Sequence, residues 1–525
     1  MKTTRKKEDF VKDVVLLSVD LGTSFIKTAA YDVQGRCLAQ SIEPTRDERP
    51  EPGVFIQRGD DLFDAVLNCM RNTVKQLGVR ATEVEAIAFT GQMAGFMGVD
   101  EQWNDITTWS CSLDGRYASY ADRQKERLAK QFLEISGTNA PQMCSKYEWF
   151  KEEFPEESSR IAKYVMISGY IIGRLSGISV EEAPIDGSFI AWTGFADMKH
   201  RRWSPEICDA IGIDMRCLPR IVSSNEICGY LLPEMASITG LRSGIPLISG
   251  AGDKVSSCVG IGILRQGDMV FEASSYAGLS CMVQDFRPDY QKRFYDIIGG
   301  ATEGSLYIHK YIQGSGITLD WFVESFVLNE SGDKSAAFRE IEEKAAGLRP
   351  GSDGLFALGQ LGGSAIPFDS AVKGLWIGHT WNHKKQHFYR SLLESFAYDL
   401  AVTLERVTQN YPEYPWDEIK IIGGGARSKL WNQILADVTG RRFLCMDRND
   451  ASLWGAAILA GNAIGVFDDI LSTASQDLKI RQVFEPDPRA HACYAPFIEL
   501  YKRFIDEFHD SFVRLNDAVK DSSVL

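Results

Sequence analysis

Val14-Val15-Leu16-Leu17-Ser18-Val19-Asp20-Leu21-Gly22-Thr23-Ser24 is an apolar run that ends in a carboxylate, a glycine and two hydroxyls. The run predicts a buried strand, and the Gly22-Thr23-Ser24 segment predicts a tight turn after it. Gly22 permits backbone that a Cβ would obstruct, while Thr23 and Ser24 offer hydroxyl donors. A carboxylate at the end of a buried strand, beside free backbone N–H groups, can hold a metal and cradle phosphate. An ordinary strand-to-hairpin turn shares these letters, but the position directly after the buried run favours a site. Well over two hundred residues downstream, Gly250-Ala251-Gly252-Asp253 follows an expected strand at 245–249, and Ser274-Ser275 follows Met269-Val270-Phe271. Two such turns facing each other across a cleft would grip a nucleotide's phosphate tail from both sides, which points to phosphoryl transfer.

At 525 residues the chain is too long for one core. Its 57 Lys and Arg against 71 Asp and Glu leave a net charge of −14. That balance argues against nucleic acid or an anionic membrane as partner, since either would want a basic face. The 11 cysteines are odd in number and contain no C-x-x-C pair. A chain of this size needs no disulfides, so reduced thiols and a cytoplasmic location are expected. Met1 to Lys7 is basic, but Glu8, Asp9, Lys12 and Asp13 break up the next stretch and Asp20 cuts the apolar run. The expectation is a solvated tail, with neither export signal nor membrane span.

Strands alternate with helical patterns, so the fold class expected is α/β. A helix is expected over 61–76, and a strand over 84–89 delivers Thr90-Gly91-Gln92-Met93-Ala94-Gly95. Residues 120–215 read as largely helical, including 161–175 and 204–211. A hairpin is expected over 269–282, repeating the N-terminal layout, so a domain junction is placed near residue 260. Further on, the pattern predicts helices over 385–407, 428–438, 451–463 and 495–513, and a strand over 419–422 that opens into Gly423-Gly424-Gly425-Ala426.

Each constellation has a plainer reading. Asp253 is placed to accept a proton from a substrate hydroxyl, or to cap a helix starting at Lys254, and both can hold at once. The triple glycine lacks the βαβ context of a dinucleotide fingerprint, and close approach to a base or ribose explains it equally well. No Gly-Lys dipeptide occurs, so a P-loop is set aside. His379, His383 and His387 recur every four residues amid Lys384, Lys385 and Gln386, which suits a polar helix start better than a metal face.

Over roughly residues 14–510 these segments together resemble the FGGY family of carbohydrate kinases. Asp20 to Lys27 is similar to its first phosphate motif, and Gly250 to Asp253 with Gly260-Ile261-Gly262 to the region of its catalytic base. Ile421 to Gln433, with Ala436-Asp437 and Gly440, resembles its adenosine motif, and Gly455-Ala456-Ala457 the helix after it. The resemblance implies two ribonuclease-H-like domains of the sugar-kinase, heat-shock-protein-70 and actin class around a central cleft. They would be an N-terminal domain over 14–260 and a C-terminal one over 261–513. It further implies ATP-dependent phosphorylation of a small ketose or polyol, with Asp253 as catalytic base and Asp20 holding Mg²⁺. Gly22, Thr23, Ser24, Lys27, Ser274, Ser275, Gly316, Gly424, Gly425, Ser428 and Lys429 would serve the nucleotide. Gln92, Met93, Ala94 and Asp114, together with Asp253, would contact the sugar. A homodimer is common in the family.

Thr90 to Gly95 resembles the xylulokinase members most, which makes a ketopentose such as D-xylulose the expected substrate, with ribulose, other pentuloses and glycerol-like polyols as alternatives. The chain also departs from the family. Ala94 stands where His is usual, and Ser112 stands where Trp is usual before Leu113-Asp114-Gly115-Arg116. Ser274-Ser275-Tyr276 occupies the place of Gly-Thr-Ser, Gly362-Gly363-Ser364-Ala365-Ile366-Pro367 lacks charges common there, and Asp450 replaces a frequent Glu. Together these support a rival reading, a nucleotide-binding regulator of the same fold that has lost efficient transfer.

Overall fold

The computed structural model describes residues 14–139, 141–312, 314–328, 332–365, 368–369, 371–476 and 478–522. The basic stretch at 1–7 and Ile366-Pro367 lie outside the described residues. One main sheet contains β1 (Val15–Leu21), β2 (Phe25–Asp32), β3 (Cys37–Pro44), β4 (Val84–Gly91), β5 (Ile227–Tyr230) and β6 (Pro246–Ile248). A second contains β7 (Met269–Glu272), β8 (Ala277–Val283), β9 (Asp296–Gly299), β10 (Leu306–Ile312), β11 (Glu418–Ile422), β12 (Arg442–Met446) and β13 (Ile480–Phe484).

The spatial orders are β3-β2-β1-β4-β6-β5 and β10-β8-β7-β11-β12-β13, with β9 outside β10. In both, an antiparallel ribbon of three strands continues through two parallel pairings to an antiparallel edge strand. The repeat expected from the sequence is therefore one of topology.

β1 is buried at every residue. Such a strand needs cover on both faces, which is why it reads as a continuous apolar run. Helix α1 (Gly59–Leu77) packs on β1, β2 and β3, and a helix from the far end of the chain, Ala451–Ala463, packs on β1 and β4. The latter lies beyond residue 260 in sequence yet covers the first sheet. It crosses the helix that starts at Asp253, with two glycines at the contact. A Cβ on Gly260 would sit 2.0 Å from Ala451 O, and one on Gly455 would sit 1.9 Å from Ser256 O. Only bare backbone fits there.

The segment 120–215 is less helical than its composition suggests. Lys163–Val165, inside the expected helix 161–175, is a strand paired antiparallel with Gly95–Val99, and the helix begins at Ile167. Partnership with a neighbouring strand overrides local propensity there. His379 and His383 precede the helix Lys385–Asn410 and only His387 lies within it, so the three share no helical face. All 11 cysteines are unpaired. No helix of the described residues is long and apolar enough to cross a membrane.

Candidate active site

The ends of β1, β7 and β11 and the segments that follow β6 and β12 converge on one cavity of about 230 Å³, lined by residues of both halves: Asp20 and Lys27, Asp253 and Lys254, Glu272, and Gly423 with Arg448 among them. Asp20 ends β1 opposite Lys27 on β2, and Lys27 Nζ lies 3.9 Å from Asp20 Oδ2. Asp20 is nearly buried, and burial, only partly offset by Lys27, pushes its carboxyl up to about 6.

Asp253 is the first residue of the helix Asp253–Gly260, whose N-cap is Gly252. The Lys254 N–H donates to Asp253 Oδ1 at 2.7 Å, but Gly252 holds the N-cap position and no side chain caps this helix, so the expected capping role is not met and the carboxylate lines the cleft from the helix's first turn. Its pKa is raised, first by burial and also by Glu272, while Lys254 pulls it back. Gly252 N–H donates to Ser188 Oγ, and Ser188 in turn donates to Asp186, so the turn before Asp253 is fixed from behind. Lys254 Nζ is 2.8 Å from Glu272 Oε2. Burial alone would lower its pKa, but the Glu272 and Asp253 carboxylates outweigh that and raise it. The ammonium is therefore charged at neutral pH.

A second cavity of about 680 Å³ adjoins β7 and β11. It gathers Ser274, Ser275, Gly316, Gly424, Gly425 and Ser428, six of the residues expected at the nucleotide. The peptide groups dictate the arrangement: Ala273 N–H donates to Ile422 O and Gly425 N–H to Ala273 O, so the two strand ends lie side by side. Gly316, in the helix Ser315–Phe326, rests on that turn, where a Cβ would sit 2.5 Å from Ser274 O. Ser274 Oγ donates to Tyr276 O, and Tyr276 itself is exposed. Ser428 caps the helix Lys429–Thr439 by accepting the Trp431 N–H. Lys429 is exposed and outside the lining, which takes Arg427 instead. Gly22, Thr23 and Ser24 form the β1–β2 turn outside both linings, with Thr23 O accepting from Thr45 Oγ1 and Gln57 Nε2.

On the proposed sugar side, Met93 is buried against Gly252, one residue from Asp253, and Ala94 follows it half-buried. Gln92 Oε1 accepts from Trp109 Nε1, while its buried Nε2 has no hydrogen-bond partner. Asp114 is fully buried: Ser110 donates to it at 2.6 Å and Arg116 through Nε at 2.9 Å and Nη2 at 2.7 Å. Burial works against the Asp114 anion, but Arg116 and Ser110 win and hold its pKa below the ordinary carboxylate value. Its carboxylate is thus engaged within the protein.

Sequence reasoning missed Lys254, Glu272, Arg448 and the cavity wall of Phe338, Arg339 and Tyr389. Glu272 carried a signal, as a carboxylate ending a buried strand just before the hydroxyl pair. The wall residues lie on ordinary amphipathic helices and carried none.

Two matching sheets with a cleft between their strand ends define the actin-like, two-domain sugar-kinase fold. A gluconate kinase structure from Lactobacillus acidophilus superposes with a TM-score of 0.87 at 21% identity, covering 95% of this chain and 99% of that one. The chain belongs to the FGGY family of carbohydrate kinases: the family's N-terminal domain matches residues 15–260 and its C-terminal domain residues 280–464. Among curated relatives, the xylulose kinase of Bacillus subtilis (strain 168) is 25% identical over 512 residues, 96% of this chain and 98% of its own. The gluconokinase of the same organism is 26% identical over 461 residues, 86% of this chain and 88% of its own. The protein is a carbohydrate kinase.

Proposed function

We propose that the protein transfers the terminal phosphoryl group of ATP to a hydroxyl of a small sugar, a ketopentose such as D-xylulose being the first candidate. The observation that carries this is Asp253, a carboxylate with a raised pKa at a helix start, in one cavity with Asp20 and with Glu272, the residue two positions before Ser274. A base whose pKa lies above the ordinary carboxylate range is better matched to receiving a hydroxyl proton near neutrality. As the acceptor oxygen attacks the terminal phosphorus, its proton passes to Asp253. The bond to the bridging oxygen then breaks and ADP is the leaving group. Backbone at Gly424 and Gly425 and the hydroxyls of Ser274 and Ser275 orient the nucleotide, while Gln92 and Met93 orient the sugar. The domains, taken as 14–260 and 261–513, close over the cleft and exclude water.

The donor set fits Mg²⁺. Asp20 offers hard oxygen, and no group of three or more His, Cys, Asp or Glu among the described residues could hold the ion alone. Asp20 would therefore hold it with water and phosphate oxygens. When bound, the ion neutralises charge on the phosphates.

Xylulose kinase as the name of one full-length relative supports the ketopentose, and gluconokinase as another keeps sugar acids on the panel. Measuring ADP release with pentuloses, hexuloses, polyols and aldonic acids tests the reading. Release stimulated most by a pentulose supports it, and release stimulated only by another class reassigns the substrate.

A further inference from the structure

Lys254 is a charged, largely buried side chain that the proton transfer to Asp253 leaves without a task. We propose that it is a second catalytic residue: its ammonium leaves Glu272 when the nucleotide binds and donates a hydrogen bond to the transferring phosphoryl group. The inference rests on the phosphoryl-transfer reading of this site.

Three observations carry it. Lys254 is the chain neighbour of Asp253 and lines one cavity with Asp20, Glu272 and Gly423. Its side chain is only 13% exposed, so most of the cost of desolvating an ammonium has already been met in the fold. Its partner is the residue two positions before Ser274, on the other main sheet, with Ser274 N–H donating to Glu272 O. An ammonium on a flexible four-carbon stem can exchange a carboxylate oxygen for a phosphoryl oxygen over a short distance.

The charges in the cavity favour that exchange. Its carboxylates are Asp20, Asp253 and Glu272, and its cations Lys27, Lys254 and Arg448. Lys27 is half exposed beside Asp20, and Arg448 lies over the Trp454 ring at 5.2 Å with Asp450 at 3.5 Å. Lys254 is the cation next to the base. A phosphate tail brings excess negative charge into this nearly balanced set, and the shielded ammonium gains most by turning to it. Lys254 keeps its proton throughout: the acceptor proton goes to Asp253, the new bond forms between acceptor oxygen and phosphorus, and ADP departs. Glu272 parks the ammonium when no terminal phosphoryl is present, so Lys254 also tells ATP from ADP.

The test compares calorimetric binding of ADP and of the non-hydrolysable analogue AMP-PNP, each with Mg²⁺, to wild type, Lys254→Met, Lys254→Arg and the double variant Lys254→Met/Glu272→Gln. The double variant removes the unpaired carboxylate that could unfold the single one. Lys254→Met, alone or with Glu272→Gln, is expected to weaken AMP-PNP roughly tenfold or more and leave ADP within about twofold, as loss of one charge-assisted contact to the terminal phosphate requires. It should lower kcat by roughly 10²–10³-fold, the range seen when one transition-state donor is removed. Lys254→Arg should keep the preference for AMP-PNP. Equal weakening of both nucleotides, or of neither, overturns the assignment. A wild type that binds neither nucleotide overturns the phosphoryl-transfer reading of this site as well.

Discussion

Lys254 Nζ lies 2.8 Å from Glu272 Oε2, which ties the residue after Asp253 to the strand that leads into Ser274 and Ser275. One half supplies Asp20 and Asp253 and the other supplies Glu272, so this cavity exists only where the two repeats meet. Duplicated topology explains how residues far apart in the chain reach one cavity: equivalent strands of each sheet end on it.

The pH dependence is set by Asp253. Burial raises its pKa, Glu272 raises it further, and Lys254 and Lys27 oppose them. The base works ionised, so kcat/KM should fall as pH drops through a value above the ordinary carboxylate range. Lys254→Met should move this acid limb to higher pH and Glu272→Gln to lower pH. A pH profile of all three proteins checks both signs.

Gln92 presents a buried Nε2 without a hydrogen-bond partner, and its chain neighbour Met93 packs on Gly252. Gln92→Leu should raise the acceptor KM roughly 5- to 150-fold, the equivalent of one hydrogen bond worth about 1–3 kcal/mol, with the nucleotide KM unchanged. Steady-state kinetics with each substrate varied in turn distinguishes this from general damage.

Gly316 lets its helix rest on Ser274–Ser275. Gly316→Val places a Cβ against Ser274 O and should displace that turn at a cost of about 1–3 kcal/mol. The expected signature is weaker nucleotide binding with an unaltered acceptor KM.

Asp296 joins the two halves. Trp192 Nε1 and Thr138 Oγ1 each donate to Asp296 Oδ2 at 3.1 Å, and Asn139 donates to Oδ1 through its backbone N–H at 2.9 Å and Nδ2 at 2.7 Å. Asp296→Ala leaves these donors without an acceptor and should destabilise the protein by about 3 kcal/mol. The midpoint of urea unfolding measures it, and an unchanged midpoint contradicts the role.

Much of this was legible in the sequence where one local pattern sufficed. The run ending in Asp20 had to be a strand buried on both faces, and Gly423-Gly424-Gly425 marked the end of the strand before it. What stayed hidden depended on partners distant in the chain. Strand Lys163–Val165 exists because Gly95–Val99 pairs with it. The bonds that Arg116 and Ser110 donate to Asp114 could not be read from the sequence either. Arg427 rather than Lys429 lines the second cavity, with Ser428 capping the helix between them. Lys254 was passed over because its partner Glu272 is on another sheet.

The central claim is that Asp253 receives the proton of a sugar hydroxyl during phosphoryl transfer. The most direct measurement is sugar-stimulated ADP release by wild type and Asp253→Asn, with ADP binding followed in parallel. The account predicts loss of roughly 10²–10⁴-fold or more in turnover, the usual contribution of a general base, with ADP affinity preserved. Sugar-stimulated release by Asp253→Asn at the wild-type rate would contradict it.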